Sequence, residues 1–95
     1  MIDPLVRFAT WFDEAAAHPG IGLHEAMTLS TVSDDGRPSS RIVLLKDHGP
    51  DGFVFYTNLG SRKAREAAAH PAVGLLFWWD VMDRQVRIEG SVVDV

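Results

Sequence analysis

The sequence predicts a small, mainly β domain with flanking helices, folded as a barrel or a strongly curved sheet. Three observations carry that expectation. One amphipathic helical pattern stands at the start, between Asp3-Pro4 and His18-Pro19-Gly20. From Ala26 onward the apolar spacing changes to runs and alternation of the strand type, about five segments in all. Turn residues separate those segments at short intervals, so most neighbours join as antiparallel hairpins, which suits a small closed or curved sheet.

Bulk properties narrow the class. At 95 residues the chain is one small domain or part of a larger one. An apolar fraction of 46% fits a globular protein. No run approaches the ~20 apolar residues of a membrane span. The start, Met1-Ile2-Asp3-Pro4, lacks the basic and apolar stretches of a secretory signal, so the cytoplasm is the expected location. The chain has no cysteine, which excludes disulfides, thiolate metal sites and cysteine nucleophiles. A formal net charge of −4 argues against nucleic acid as the main partner. Yet five of the nine Lys and Arg residues lie between Arg41 and Arg65. A local basic cluster in an acidic chain points to a small anionic ligand.

Each element has a local reason. Asp3 reads as an N-cap and Pro4 as the first helical residue. Leu5, Phe8, Phe12 and Ala15 or Ala16 follow at helical spacing, and Trp11 widens the stripe. Residues 1–20 thus form an N-terminal helical segment, and 21–95 the β domain. Ala26–Val32 is the first strand, Ser33-Asp34-Asp35-Gly36 a turn, and Pro38–Leu45 the returning strand. Lys46–Gly52 reads as a polar loop and Phe53–Thr57 as a short aromatic strand. After the turn Asn58-Leu59-Gly60, Ser61 is placed to cap a short Ala-rich helix that Pro71 stops near His70. Ala72–Trp79 and Arg84–Val95 make the last two strands around a turn at Asp80–Asp83. In the final strand Val86, Ile88 and Val92 alternate with Gln85, Arg87, Glu89 and Ser91, the signature of a half-buried strand. The strand pattern still runs at Val95, which implies a barrel that is incomplete within this chain.

Two stretches carry the chemistry. In Ser61-Arg62-Lys63 a hydroxyl, unpaired helix N–H groups and two cations converge at a helix start. Arg62 can fork onto phosphate oxygens and Lys63 adds a point charge. The competing reading is a helix cap followed by solvated charges. Thr57 can donate a further hydroxyl, or simply serve as a good strand former. The second stretch is Arg41-Ile42-Val43-Leu44-Leu45-Lys46. Five residues apart on a regular strand, Arg41 and Lys46 face opposite sides unless a bulge re-aims one of them. They either grip different parts of a ligand or cap a buried strand. Gln85 offers an amide that both donates and accepts, matching the edge of an isoalloxazine or another amide-like heterocycle, or it is an ordinary exposed strand residue. Trp78 and Trp79 face opposite sides, one to the core and the other free to cover a cofactor or a subunit interface. His18, His24, His48 and His70 are scattered without metal-ligand spacing, so no metal site is expected. There is no dinucleotide fingerprint, Walker loop or nucleophile elbow.

Arg41-Ile42-Val43-Leu44-Leu45-Lys46, Phe55-Tyr56-Thr57-Asn58-Leu59-Gly60-Ser61-Arg62-Lys63 and Arg84-Gln85-Val86 together resemble the pyridoxamine 5′-phosphate oxidase family. The Asp3-Pro4-Leu5 start and the Leu75-Leu76-Phe77-Trp78 segment are similar too. The resemblance implies an FMN-binding split β-barrel of Greek-key-like order, normally a homodimer with flavin at the interface. It implies that Arg41, Ile42, Val43, Leu44, Leu45 and Lys46 line FMN together with Tyr56 and Thr57. Arg62 and Lys63 would hold the FMN phosphate, Ser61 would belong to the same cofactor site, Gln85 would lie near the ring, and Lys46 would also reach the substrate phosphate. The implied reaction oxidises pyridoxamine or pyridoxine 5′-phosphate to pyridoxal 5′-phosphate, with O2 giving H2O2. No side chain of this chain stands out as a catalytic acid, base or nucleophile. The family's later half carries further substrate and flavin groups that have no counterpart here. A second reading is therefore a binding module: split-barrel relatives hold FMN, deazaflavin or haem without oxidase activity. A third is an inactive fragment.

Overall fold

A computed structural model describes residues 3–33, 35–56 and 72–92. Helix α1 spans Pro4–Ala17. Five strands follow: β1 Ala26–Val32, β2 Pro38–Gly49, β3 Gly52–Phe55, β4 Ala72–Trp79 and β5 Arg84–Ser91, with a 3-10 turn at Asp80–Met82 before the last. The expected helix after Ser61 and the end of the last strand beyond Val92 lie outside the described residues.

The ends of α1 are set by its caps. The Asp3 carboxylate accepts from the Leu5 N–H at 2.8 Å, and Pro4 occupies the first turn. Such a cap contributes about 1 kcal/mol. His18 closes the other end, its N–H bonded to the Ala15 carbonyl, and Pro19 follows. Phe8 and Ala15 are buried and Phe12 is half-buried, as the helical spacing requires. Leu5 departs from the expected stripe and is 40% exposed. It overhangs an open groove of about 500 Å³ between the first turns of α1 and the Pro50 turn.

The strands form one antiparallel sheet in the order β3-β2-β1-β4-β5. β3, β2 and β1 are hairpin neighbours in sequence, and β4 returns to lie against β1. That is a Greek-key order. α1 covers one face only. Against it pack Met27, Leu29, Val43, Leu45, Leu75, Phe77 and Trp79, with Phe8 inserted among the rings of Phe53, Phe77 and Trp79. Each fully buried large side chain there contributes roughly 1.5–3 kcal/mol. The Trp79 indole N–H donates to the His24 carbonyl at 3.0 Å, so the ring is buried without an orphaned donor.

The facing ends of β2 and β3 differ from the sequence reading: β3 is Gly52–Phe55, which leaves Tyr56 outside the strand expected at Phe53–Thr57. Lys46–Gly49 continues β2 rather than forming a loop. A β-bulge between Leu45 and Asp47 allows it. The extra residue leaves Lys46 and Asp47 both exposed and returns His48 to the core side, edge-on to Phe8 and Phe12 at 5.2 and 4.9 Å. The polar residues that suggested a loop are the ones the bulge turns outward. A two-residue connection, Pro50-Asp51, then joins the Gly49–Gly52 pair, and Gly52 takes φ +135°, a backbone that other residues rarely adopt.

Candidate functional site

The face opposite α1 is where the candidate residues gather. On β2 the side chains alternate strictly: Val43 and Leu45 are 6% exposed, whereas Ile42 is 63% and Leu44 49% exposed. Register extends this alternation across the sheet. Thr28 lies between Ile42 and Leu76, and Leu76 faces Arg87; one row along, Ser30 lies between Ser40 and Gly74. Trp78 faces Gln85 at the far side, both exposed. The outer surface is thus an apolar field of Ile42, Leu44, Leu76 and Trp78, with hydroxyls in the middle. The Ser30 and Ser40 hydroxyls bond each other at 2.9 Å.

The backbone adds a second feature. The Leu45 N–H donates to the Glu25 carbonyl, so in this register Leu45, Val43 and Arg41 turn their backbone groups toward β1. Those of Ile42 and Leu44 point the other way. β3 pairs with β2 from Leu45 to Gly49, on the side to which the Leu44 backbone turns. Ile42 and Leu44 therefore present exposed side chains on one short stretch, with their backbone groups turned away from β1.

The two cations of β2 separate as parity requires. Arg41 lies on the α1 side, in register with Leu29, and donates from Nη1 to the Leu29 carbonyl at 3.2 Å. Lys46 lies at the bulge, and its Nζ stands 6.0 Å from the centre of the Tyr56 ring, which is 72% exposed. Lys46 and Tyr56 thus share one end of the outer face with Leu44, while Gln85 and Trp78 mark the other side. Val43 and Leu45 are core residues, and a ligand on the outer face does not meet their side chains. Thr57, Ser61, Arg62 and Lys63 lie outside the described residues. Among the described residues, no three His, Asp or Glu side chains group to hold a metal, and no helix is long and apolar enough to cross a membrane.

A family model described as pyridoxamine 5′-phosphate oxidase matches residues 13–95. The chain belongs to the pyridoxamine 5′-phosphate oxidase family. A pyridoxine/pyridoxamine 5′-phosphate oxidase of Sphingopyxis alaskensis is 61% identical over 94 residues, which is 98% of this chain and 43% of the relative. A pyridoxine-5′-phosphate oxidase of Bos taurus is 50% identical over 91 residues, 96% of this chain and 35% of the relative. The chain thus spans less than half the length of these curated relatives. PhzG from Burkholderia lata, solved with tetrahydrophenazine-1-carboxylic acid, superimposes with a TM-score of 0.87 at 28% identity, covering 94% of this chain and 44% of that one. A pyridoxamine 5′-phosphate oxidase-related, FMN-binding protein from Nostoc punctiforme gives 0.80 at 20% identity over 95% of this chain and 47% of its own, a likeness of fold. The five-stranded sheet is therefore part of the split barrel of this family.

Sequence reasoning did not mark Thr28 and Leu76, which lie in the same row of the outer face as Ile42. Nothing local distinguishes them. Only the pairing of β1 with both β2 and β4 brings them beside Ile42.

Proposed function

We propose that this chain forms the amino-terminal part of an FMN-dependent oxidase of the vitamin B6 phosphates. The substrate would be pyridoxamine or pyridoxine 5′-phosphate, the product pyridoxal 5′-phosphate, and O2 the electron acceptor that yields H2O2. One observation carries the reading beyond family membership: the Ile42–Leu44 stretch, with its exposed apolar side chains and its backbone groups turned away from β1. A flavin has the matching character, a flat apolar ring system with an amide-like polar edge. Gln85 fits the same chemistry, since its amide can donate to or accept from that edge.

FMN, when bound, supplies the two-electron acceptor, and the protein's part is to bind, orient and exclude water. In this reading Ile42 and Leu44 cover the ring with side chain and backbone, while Val43 and Leu45 hold the strand to the core. Lys46 and Tyr56 stand at the substrate end, where the ammonium attracts a phosphate. Ser61, Arg62 and Lys63 hold the FMN phosphate, with Thr57 as a further hydroxyl. Arg41, on the α1 side, steadies β2 through the Leu29 carbonyl and reaches the ligand only from the strand's rim. β2 and β5 are separated by β1 and β4, about 14 Å at the usual strand spacing. Gln85 and the Ile42–Leu44 stretch of one copy are then too far apart to grip one polar edge together. A homodimer with flavin between two copies brings β5 of one against β2 of the other.

An FMN titration followed by flavin fluorescence, with riboflavin in parallel, tests the reading. FMN binds much more tightly than riboflavin, and Arg62→Ala removes that preference about tenfold or more. Equal affinity for the two flavins, or equal losses for both in Arg62→Ala, would reject the phosphate assignment.

A further inference from the structure

We propose that Arg84 is a positioning residue for the flavin face, acting through its neighbour Gln85. The inference rests on the flavin reading of the outer face. Its basis is a clamp between α1 and the first residue of β5. Asp83 takes the left-handed conformation, with φ 51° and ψ 44°, and turns the chain sharply into β5. Arg84 and Gln85 then project to opposite faces. The Arg84 Nη1 lies 2.6 Å from the Glu14 Oε2, and its guanidinium carbon lies 4.7 Å from the centre of the Trp11 ring. Trp11 and Glu14 are three apart on α1, so both present to the same partner. A guanidinium serves the two at once: its face stacks on the indole while its in-plane N–H donates to the carboxylate. A compact ammonium lacks the planar face for the stack and serves the pair less well.

The clamp matters because of what it holds. Among the described residues β5 is the edge of the sheet, paired with β4. Its first residue pairs with Trp79 and its second with Trp78. Trp79 is fixed in the core, but Trp78 and Gln85 extend from the outer face with no described cover. Arg84 ties the backbone under Gln85 to the helix across the sheet. Its side chain is 27% exposed, so the ion pair is partly shielded from water. Without it the start of β5 keeps its pairing with β4 and the packing of Val86 on the core but loses its tie to α1, and the Gln85 amide loses its fixed height over the face.

The test compares the wild-type chain with Arg84→Met, Arg84→Lys, Glu14→Gln and the double variant Arg84→Met/Glu14→Gln, using Leu75→Val as a core control. FMN affinity, the visible absorption of bound FMN and the thermal midpoint are read for each. Arg84→Met weakens FMN about fivefold and shifts the visible band, because the amide near the ring has moved. Glu14→Gln acts in the same direction, Arg84→Lys restores only part, and the double variant is no worse than Arg84→Met, since one clamp is being broken. Leu75→Val lowers the midpoint without moving the band. An Arg84→Met chain that melts earlier but keeps the wild-type affinity and spectrum overturns the proposal and leaves Arg84 a plain staple. If the wild-type chain binds no FMN, the flavin reading fails by itself. The clamp is then judged on the free chain, by the Gln85 side-chain NH2 resonances and amide exchange at Gln85 and Val86. Arg84→Met must alter both more than Leu75→Val does; unchanged signals overturn it.

Discussion

Two adjacent residues, Ile42 and Val43, separate folding from binding on one strand. Val43 is 6% exposed and sits between α1 and the sheet. Val43→Ala removes two buried methyl groups at about 0.8 kcal/mol each, plus a small cavity, about 2 kcal/mol in total. For a domain near 95 residues that lowers the midpoint by roughly 10 °C. Ile42 is 63% exposed, so Ile42→Ala forfeits only its covered third and some strand preference, about 0.5–1 kcal/mol. The exposed two-thirds becomes covered if flavin or a second copy lies there, and its loss then costs up to ~1.5 kcal/mol, about tenfold in affinity. Urea unfolding of the ligand-free chain and FMN titration, run on both variants, measure the two effects apart. Val43→Ala is expected to unfold early and, where folded, to bind almost normally; Ile42→Ala is expected to do the reverse. If Ile42→Ala costs as much stability as Val43→Ala without ligand, the face assignment is wrong. A one-residue slip of β2 would produce that result, because it exchanges every side chain between the two faces.

Three further substitutions test other parts of the argument. Trp79→Phe leaves the His24 carbonyl without its indole donor and opens a small void, so it is expected to cost about 2 kcal/mol in urea unfolding. Asp3→Ala removes the α1 cap and is expected to cost about 1 kcal/mol, measured as a lower thermal midpoint by circular dichroism. Lys46→Met is expected to weaken pyridoxine 5′-phosphate about tenfold by calorimetry while moving stability by less than about 0.5 kcal/mol, since the ammonium is exposed at the bulge.

Most of the fold was legible because its signals are local. Asp3-Pro4 and His18-Pro19 bracket α1, and β1 and β4 start and stop where their apolar patterns do. The opposite facing of Trp78 and Trp79 follows from strand geometry alone, and the structure buries Trp79 while leaving Trp78 56% exposed. β2 was harder. Lys46, Asp47 and His48 look like a loop because a regular strand would have to bury a charge in their place. The bulge removes that conflict, and a bulge depends on pairing with β3 rather than on any residue in β2 itself. The same limit hid the Arg84 clamp. Trp11 and Glu14 are 73 and 70 positions away from it in sequence, and only the packing of α1 across the sheet brings them together. For the candidate site, parity alone set Arg41 and Lys46 on opposite faces, but only register showed that Ile42, Leu44 and Gln85 share the outer one.

The contrast between β2 and β5 says where the outer face is meant to be covered. β5 alternates apolar and polar residues, with Val86 and Ile88 turned to the core and Gln85, Arg87 and Glu89 outward. That is how a strand reads when one side faces water. β2 reads Ile42-Val43-Leu44-Leu45, continuous rather than alternating, as strands buried on both sides do. Yet α1 covers only one side of β2, and the described residues leave the other open. Leu76 and Trp78 of β4 break alternation in the same way. The apolar side chains left over are thus not spread across the sheet but concentrated on β2 and β4, while the outer side of β5 carries polar and charged groups. A cover chosen only to complete a core would need apolar partners on β5 as well. A ligand or partner that is flat and apolar over β2 and β4, and polar where it meets β5, accounts for the difference. In the proposed reading a second copy and the flavin between the two would supply that cover, with Gln85 of each copy meeting the flavin over the other's β2.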